Sequence, residues 1–300
     1  MDTDQEKQMI KKCQEWRDSL GIKVGIPHTE FEKMKDSYFN NTDISLKNCR
    51  LIGLIDPDYS NLYEGCYIES KKYNHCLFRV YQFHEWRYFK NEMKAYAKIE
   101  KNPNNTFIYQ KKIFNIYSEE SQSMIIALEY LPLTKFIDFQ LSLQILPKDT
   151  KVKIIFKIAK SLLKTLNYLH NTLKLVHRHI SPTTVIFNLD SFPIITDFSH
   201  VYKRVAQKRS KVGFEPYLSP EIRNEKGEKT FDLASDDLYA LGCLIHDLYY
   251  NEKVNSEKKS KPLLFNGNTP FEENIQAIIN TLLNPDPETR IEIYQKDLWI

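Results

Sequence analysis

Between residues 175 and 199 the chain reads LVHRHISPTTVIFNLDSFPIITDFS, and its polar side chains recur at intervals that could do chemistry. His177 and His179 stand two apart with Arg178 between them, Ser181 and Thr184 follow, and Asp197 closes an apolar run. An imidazole titrates near neutral pH, so His179 has the acidity needed to take a proton. A carboxylate such as Asp197 suits a hard cation. A structural zinc site would need about four ligands, and no second His or Cys cluster accompanies His177 and His179.

Chemistry of this kind needs a frame, and the chain changes texture along its length. Residues 2–20 read as a helix, with Met9, Cys13, Trp16 and Leu20 on one apolar stripe, ended by Gly21, Gly25 and Pro27. A second helical pattern places Phe31, Met34 and Tyr38 on one side. From about residue 49, RLIGLI, LYEGCYI and HCLFRVYQF are short β-branched and aromatic runs between polar turns, which predicts three strands. HEWRYFKNEMKAYAKIEK then has helical periodicity up to NPNN, and IYQKKIFNIY and MIIALEY predict two more strands. After Pro132 the pattern is mostly helical, over 148–173, about 234–250 and about 270–283. Strands first and helices after is the order of an α+β protein in two parts.

Eight landmarks in this order resemble the eukaryotic protein-kinase fold, over roughly residues 49–300. HEWRYFKNEMKAYAKI is similar to the regulatory helix of the small lobe, with Glu92 at its ion-pairing position, and NPNNTFI to the turn behind it. LEYL resembles the gatekeeper and hinge, with Leu128 as gatekeeper. VHRHISPTTVIF stands where kinases carry H-R-D-L-K-P-x-N-I-L, ITDFS at the D-F-G position and YLSPEI at A-P-E. SDDLYALGCLI resembles the core helix of the large lobe, taken to begin at Asp236, and NPDPETR the late turn whose arginine, Arg290, pairs with Glu221. The resemblance implies a bilobal domain, small lobe about 49–131 and large lobe about 132–300, behind an N-terminal helical extension over 1–48.

Phosphoryl transfer is mostly positioning and charge neutralisation, by a lysine on the phosphates, an aspartate and an asparagine on magnesium, and an aspartate that orients the hydroxyl. Against that pattern, the glycine-rich loop is IDPDYSNLYEG, with Asp56, Asp58 and Asn61 near the glycine positions. Carboxylates there repel phosphate, and side chains keep the backbone N–H groups at a distance. The strand-three lysine is Arg79, whose planar fork suits pairing with Glu92. Lys71 or Lys72 could substitute for it, as in the with-no-lysine kinases. In the catalytic loop the aspartate is His179, the lysine Ser181 and the magnesium asparagine Thr184. Asp197 alone keeps its type, followed by Ser199 where glycine gives the hinge.

The residues that hold such a fold together remain. His177, Phe198 and Tyr96 stand where the resemblance implies a stacked regulatory spine, and Asp236, Glu221 and Arg290 where it implies braces of the large lobe. The expectation is therefore a pseudokinase: no enzyme, no ATP or magnesium bound, and a scaffold or assembly role through protein contacts. The alternatives are a pseudokinase that binds nucleotide as a regulatory switch, and an atypical Ser/Thr kinase using His179 or another group. Two features offer partner contacts: the basic run Lys203, Arg204, Lys208, Arg209 and Lys211, which suits an acidic or cytoskeletal protein, and the stripe anchored by Trp16.

Bulk composition excludes other classes. With 42 basic and 39 acidic residues the net charge is +3, too balanced to point at nucleic acid or membrane. No uncharged apolar run approaches the ~18 residues of a membrane span, and the opening MDTDQEKQM is acidic and polar, unlike a secretory signal. Five cysteines without a CxxC pair suit a reduced, intracellular compartment, the cytoplasm. The Asn-, Lys- and Tyr-rich texture, joined to the scaffold reading, suggests a cytoskeletal or ciliary component.

Overall fold

The computed structural model describes residues 49–54, 61–69, 72–101, 112–118, 123–130, 134–188, 190–204, 206–207, 212–223, 231–251 and 269–295. Trp16 and the N-terminal stripe, the turn with Asp56 and Asp58, and Lys208, Arg209 and Lys211 lie outside the described residues. The chain is mixed α+β, with a sheet in its first part and mostly helices after it. It divides into two units: Met1–Lys90 with Gln110–Thr134, and Asn91–Tyr109 with Lys135–Ile300.

The first unit is built on an antiparallel sheet of β1 (Cys49–Leu54), β2 (Leu62–Glu69), β3 (Lys72–Gln82), β4 (Lys112–Ser118) and β5 (Ser123–Glu129), in the order β1-β2-β3-β5-β4. Strand side chains alternate between the two faces. Cys76, Phe78 and Val80 of β3 thus join Ile125 and Ala127 of β5 in one apolar cluster, with Cys49 and Tyr63. Leu77, Arg79 and Tyr81 point the other way and are equally buried. β5, SMIIALE, is buried along its length from Ser123 to Leu128, which explains why it reads as a continuous apolar run without alternation. The thiols of Cys49, Cys66 and Cys76 lie inside this unit, and burial pushes Cys76 far up, so it stays an unreactive thiol.

The second unit takes α1 (Trp86–Glu100) from Asn91 onward and adds α2 (Phe136–Ser142), α3 (Lys148–Asn167), α4 (Pro220–Arg223), α5 (Ala234–Tyr250), α6 (Pro270–Leu282) and α7 (Pro287–Ile291). Every residue of α5 from Ala234 to Leu248 is buried, including Ser235, Asp236, Asp237, His246 and Asp247. α6 packs on it so closely that a Cβ on Gly242 would come within 2.8 Å of Leu282 Cβ and 2.9 Å of Leu283 Cδ2. α6 begins at a Thr269 N-cap, whose hydroxyl accepts from Glu272 N at 3.3 Å, followed by Pro270 at the first helical position. Short strands accompany the helices, among them β6 (Leu175–Val176), which pairs with β9 (Tyr202–Lys203), and β7 (Val185–Phe187), which pairs with β8 (Pro193–Ile195). These two ladders bracket the segment whose side chains opened the sequence analysis.

Candidate functional site

The loop between β6 and β7 carries His177, Arg178, His179, Ser181 and Thr184, and it is held by its main chain. Asp237, one residue into α5 from Asp236, is buried and accepts His177 N at Oδ2 and Arg178 N at Oδ1, both at 2.6 Å. Its Oδ2 also lies 2.8 Å from His170 Nε2, and His170 Nδ1 lies 2.6 Å from Tyr294 Oη. A buried chain of polar groups therefore runs from the turn after α7, through the end of α3, to the loop. Burial by itself would raise the Asp237 carboxyl; the hydrogen bonds from His170 and from the loop backbone outweigh it and hold Asp237 below its usual range.

His177 turns inward. Its Nε2–H donates to the Thr196 carbonyl at 3.0 Å, and its ring meets Phe198 edge-on at 5.3 Å between centroids. Phe198 in turn meets Tyr96 of α1 edge-on at 5.7 Å, so the three rings make successive edge-to-face contacts within this unit. Complete burial drives the His177 pKa down to about 4, only partly opposed by Asp237 and Asp197, so the ring is neutral at pH 7. α1 is fastened beside it by Asn91 Nδ2, which donates to Ser199 O at 3.0 Å, and by Lys98 Nζ, which donates to Leu173 O at 2.8 Å.

The positions where phosphoryl transfer needs its chemistry are filled differently. His179 faces His200, ring planes at 87° and centroids 5.0 Å apart. Burial, and after it His179, lowers the His200 pKa to about 4. Thr184 is buried and its hydroxyl is bonded inside the loop: Oγ1 donates to His179 O at 2.6 Å and accepts from Ser181 N at 3.1 Å. Ser181 is buried too, its hydroxyl 2.8 Å from that of Thr183. Asp197 has a left-handed backbone (φ 62°), and its Oδ1 accepts from Ser199 N at 3.1 Å. Among the described residues no three His, Cys, Asp or Glu side chains are grouped as a metal would require.

The braces are in place. Arg290 is buried; it donates to Glu221 Oε1, to Ser235 O at 3.0 Å and to Asn284 O at 2.6 Å, and its guanidinium lies over the Tyr239 ring at 5.4 Å. Asp236 accepts Ser219 N at 3.1 Å and so secures the start of α4, with its carboxyl raised to about 6 by burial. The loop itself is gripped by Asp237, which the sequence reading passed over along with His170 and Tyr294. The signal was the doublet of carboxylates at the mouth of an apolar helix. Gly213 (φ 126°) lies where a Cβ would come within 3.0 Å of Arg178 O, so the segment before α4 runs against the loop.

Arg79 belongs to the first unit, where it is buried with Nη1 donating to Asn61 Oδ1 at 3.2 Å; Glu92 belongs to the second and is also buried. Of the basic run, Lys203 is exposed. Arg204 donates to Asp232 Oδ2 at 2.8 and 2.5 Å and to Asn171 Oδ1. No helix among the described residues is long and apolar enough to cross a membrane.

Comparison with known proteins agrees with this geometry. The family model of the protein kinase domain matches residues 82–297. Mitogen-activated protein kinase kinase 3 of Arabidopsis thaliana is 30% identical over 183 residues, 58% of this chain and 34% of that protein. A serine/threonine-protein kinase of Caenorhabditis elegans is 23% identical over 68% of this chain and 21% of its own length. Human 3-phosphoinositide-dependent protein kinase 1 is 35% identical over 92 residues, 29% of this chain and 16% of its own. The chain thus spans about a third or less of the length of these relatives.

Proposed function

Since this chain belongs to the protein kinase family, we propose that it is an inactive member, a kinase fold that works by binding other proteins as a scaffold or assembly subunit. The observation that carries the reading is the closed knot of hydroxyls in the catalytic loop. Where the family holds magnesium with an asparagine, Thr184 offers no carboxamide, and its hydroxyl is engaged with His179 O and Ser181 N. Where the family orients the attacking hydroxyl with a carboxylate, His179 presents an imidazole beside a second imidazole, His200. Two neighbouring rings disfavour protonation of each other, the opposite of the anionic environment that phosphoryl transfer needs. The residues of this loop therefore do not fit a nucleotide–magnesium complex, and no step is routed through one.

Retention of Asp197 favours a second reading, a regulatory pseudokinase that binds nucleotide, or an atypical kinase with residual transfer. Thermal melting of the purified chain with millimolar ATP, then with magnesium, separates them. A ligand at 100 times its dissociation constant stabilises by about 2.7 kcal/mol, a shift of a few degrees. The expected result is no shift and no phosphate transferred to a generic protein substrate. A clear shift would replace the empty-site reading with the regulatory one, and transfer abolished by Asp197→Ala would establish the atypical enzyme.

A further inference from the structure

The longest carboxylate-free stretch of the chain runs from α3 through the catalytic loop, and most of its charge lies on α3. Residues 150–189 hold seven Lys or Arg residues and no Asp or Glu. Four of them, Lys153, Lys157, Lys160 and Lys164, follow one another on α3 at spacings of four, three and four. At 3.6 residues per turn their directions fall within an arc of about 60°, and at 1.5 Å per residue the row is ~16 Å long. Lys153, Lys157 and Lys164 are exposed and Lys160 is half-buried. The one acidic residue of the helix, Asp149, sits at its first turn.

Solvated helix faces usually mix the two signs, because like charges three and four residues apart destabilise a helix and opposite ones support it. α3 carries three such like-charged steps in succession. Two of the ammonium groups rest on aromatic rings, Lys153 over Phe271 at 5.8 Å and Lys160 over Phe156 at 5.6 Å, and those two rings meet each other edge-on at 5.6 Å. Ring contacts of this kind favour the cation and steady the stem. At the start of the helix, Lys148 meets Glu272 of α6 at 2.6 Å.

We propose that this lysine row is a docking strip for an acidic polypeptide segment bound in extended form. Alternate residues of an extended chain project to the same side about 6.6 Å apart. The lysines of the row stand ~4.5–6 Å apart along the axis, so glutamates or aspartates at every second position fall within reach of their long side chains. A bilayer fits less well, since the exposed members of the row are all lysines and the one exposed ring against them, Phe271, lies under the Lys153 ammonium. A duplex fits less well because a strip one residue wide follows a single strand of charge. The inference does not rest on absent catalysis, since an active kinase could use the same strip.

The test is fluorescence anisotropy of a labelled peptide of alternating glutamate and serine, titrated with the full chain. Binding that weakens with added salt is expected, and Lys153→Glu with Lys157→Glu and Lys164→Glu should weaken it at least about tenfold. The triple Lys→Arg variant should bind as the parent does, and a matching circular-dichroism melt of the Glu variant shows that it is folded. Reversal of Lys208 and Arg209 should leave binding unchanged. Equal binding by the triple Glu variant overturns the proposal. So does tighter, row-dependent binding of the parent to phosphatidylserine vesicles or to duplex DNA than to the peptide.

Discussion

At the scale of single residues, protonation and the grip on the loop set the expectations. The His177 pKa lies near 4 when folded, against about 6.5 for a free imidazole. Its contribution is therefore complete above about pH 6.5 and is lost as the pH falls towards 4. At full effect the loss is on the order of a few kcal/mol, and His200 acts in the same direction. Asp236 acts oppositely: with a folded pKa near 6 against 3.8, it weakens the fold as the pH rises through that interval. The two partly offset each other. Asp236→Asn keeps an oxygen for Ser219 N and removes the offset, so urea midpoints across about pH 4–7 should fall more steeply on acidification than in the parent. Asp237→Ala should be far worse, leaving His177 N, Arg178 N and His170 without their acceptor, by about 3–5 kcal/mol at pH 7 in urea denaturation. The residues at 179, 181 and 184 that differ from the family pattern are legible in sequence because each is one letter at a fixed spacing. Which of Asp236 and Asp237 faces the loop is not, since neighbours on a helix point about 100° apart and only packing decides between them.

Elements were the most legible level, for a physical reason. β1, β2 and β3 fall on the three predicted β-branched runs, and α3, α5 and α6 on the three predicted helical stretches. Their buried faces impose period 2 or 3.6 on the sequence. α2, with Phe136 and Phe139 buried but Ile137 and Leu141 exposed, left no polar face to read and went unpredicted. Gly242→Ala tests how tightly α5 and α6 meet. Alanine gains about 1 kcal/mol of helix propensity, but its Cβ would collide with Leu282 and Leu283, and overpacking costs about 1–3 kcal/mol. A net loss in chemical denaturation is expected, and a gain would show that the helices can part. Thr269→Ala should cost about 1 kcal/mol by removing the N-cap of α6.

For the molecule as a whole, the buried pair of Glu221 and Arg290 joins α4 to α7, far apart in sequence. Glu221→Ala should destabilise by about 3–5 kcal/mol, because it strands a buried guanidinium, while replacing both partners by apolar residues should cost much less. A double-mutant cycle of melting curves separates these outcomes. Burial already lowers the Arg290 pKa to about 9, so loss of its partner is felt at every pH below that. The two-part order of the chain was readable from texture. The lysine strip on α3 was not singled out, because charge on a helix surface carries no periodic signal of burial and its meaning lies in what is missing between the lysines.

Asp237 holds the catalytic loop by amide N–H groups, and an amide is common to nearly every amino acid. Sequence drift at 179 therefore meets no resistance from the element that shapes the loop: His179 is half-exposed, and its backbone is placed whatever side chain it bears. A loop fastened in this way tolerates change in its side chains, because its shape and its chemistry reside in different atoms of the same residues. An aspartate placed at position 179 would find its main chain already in position.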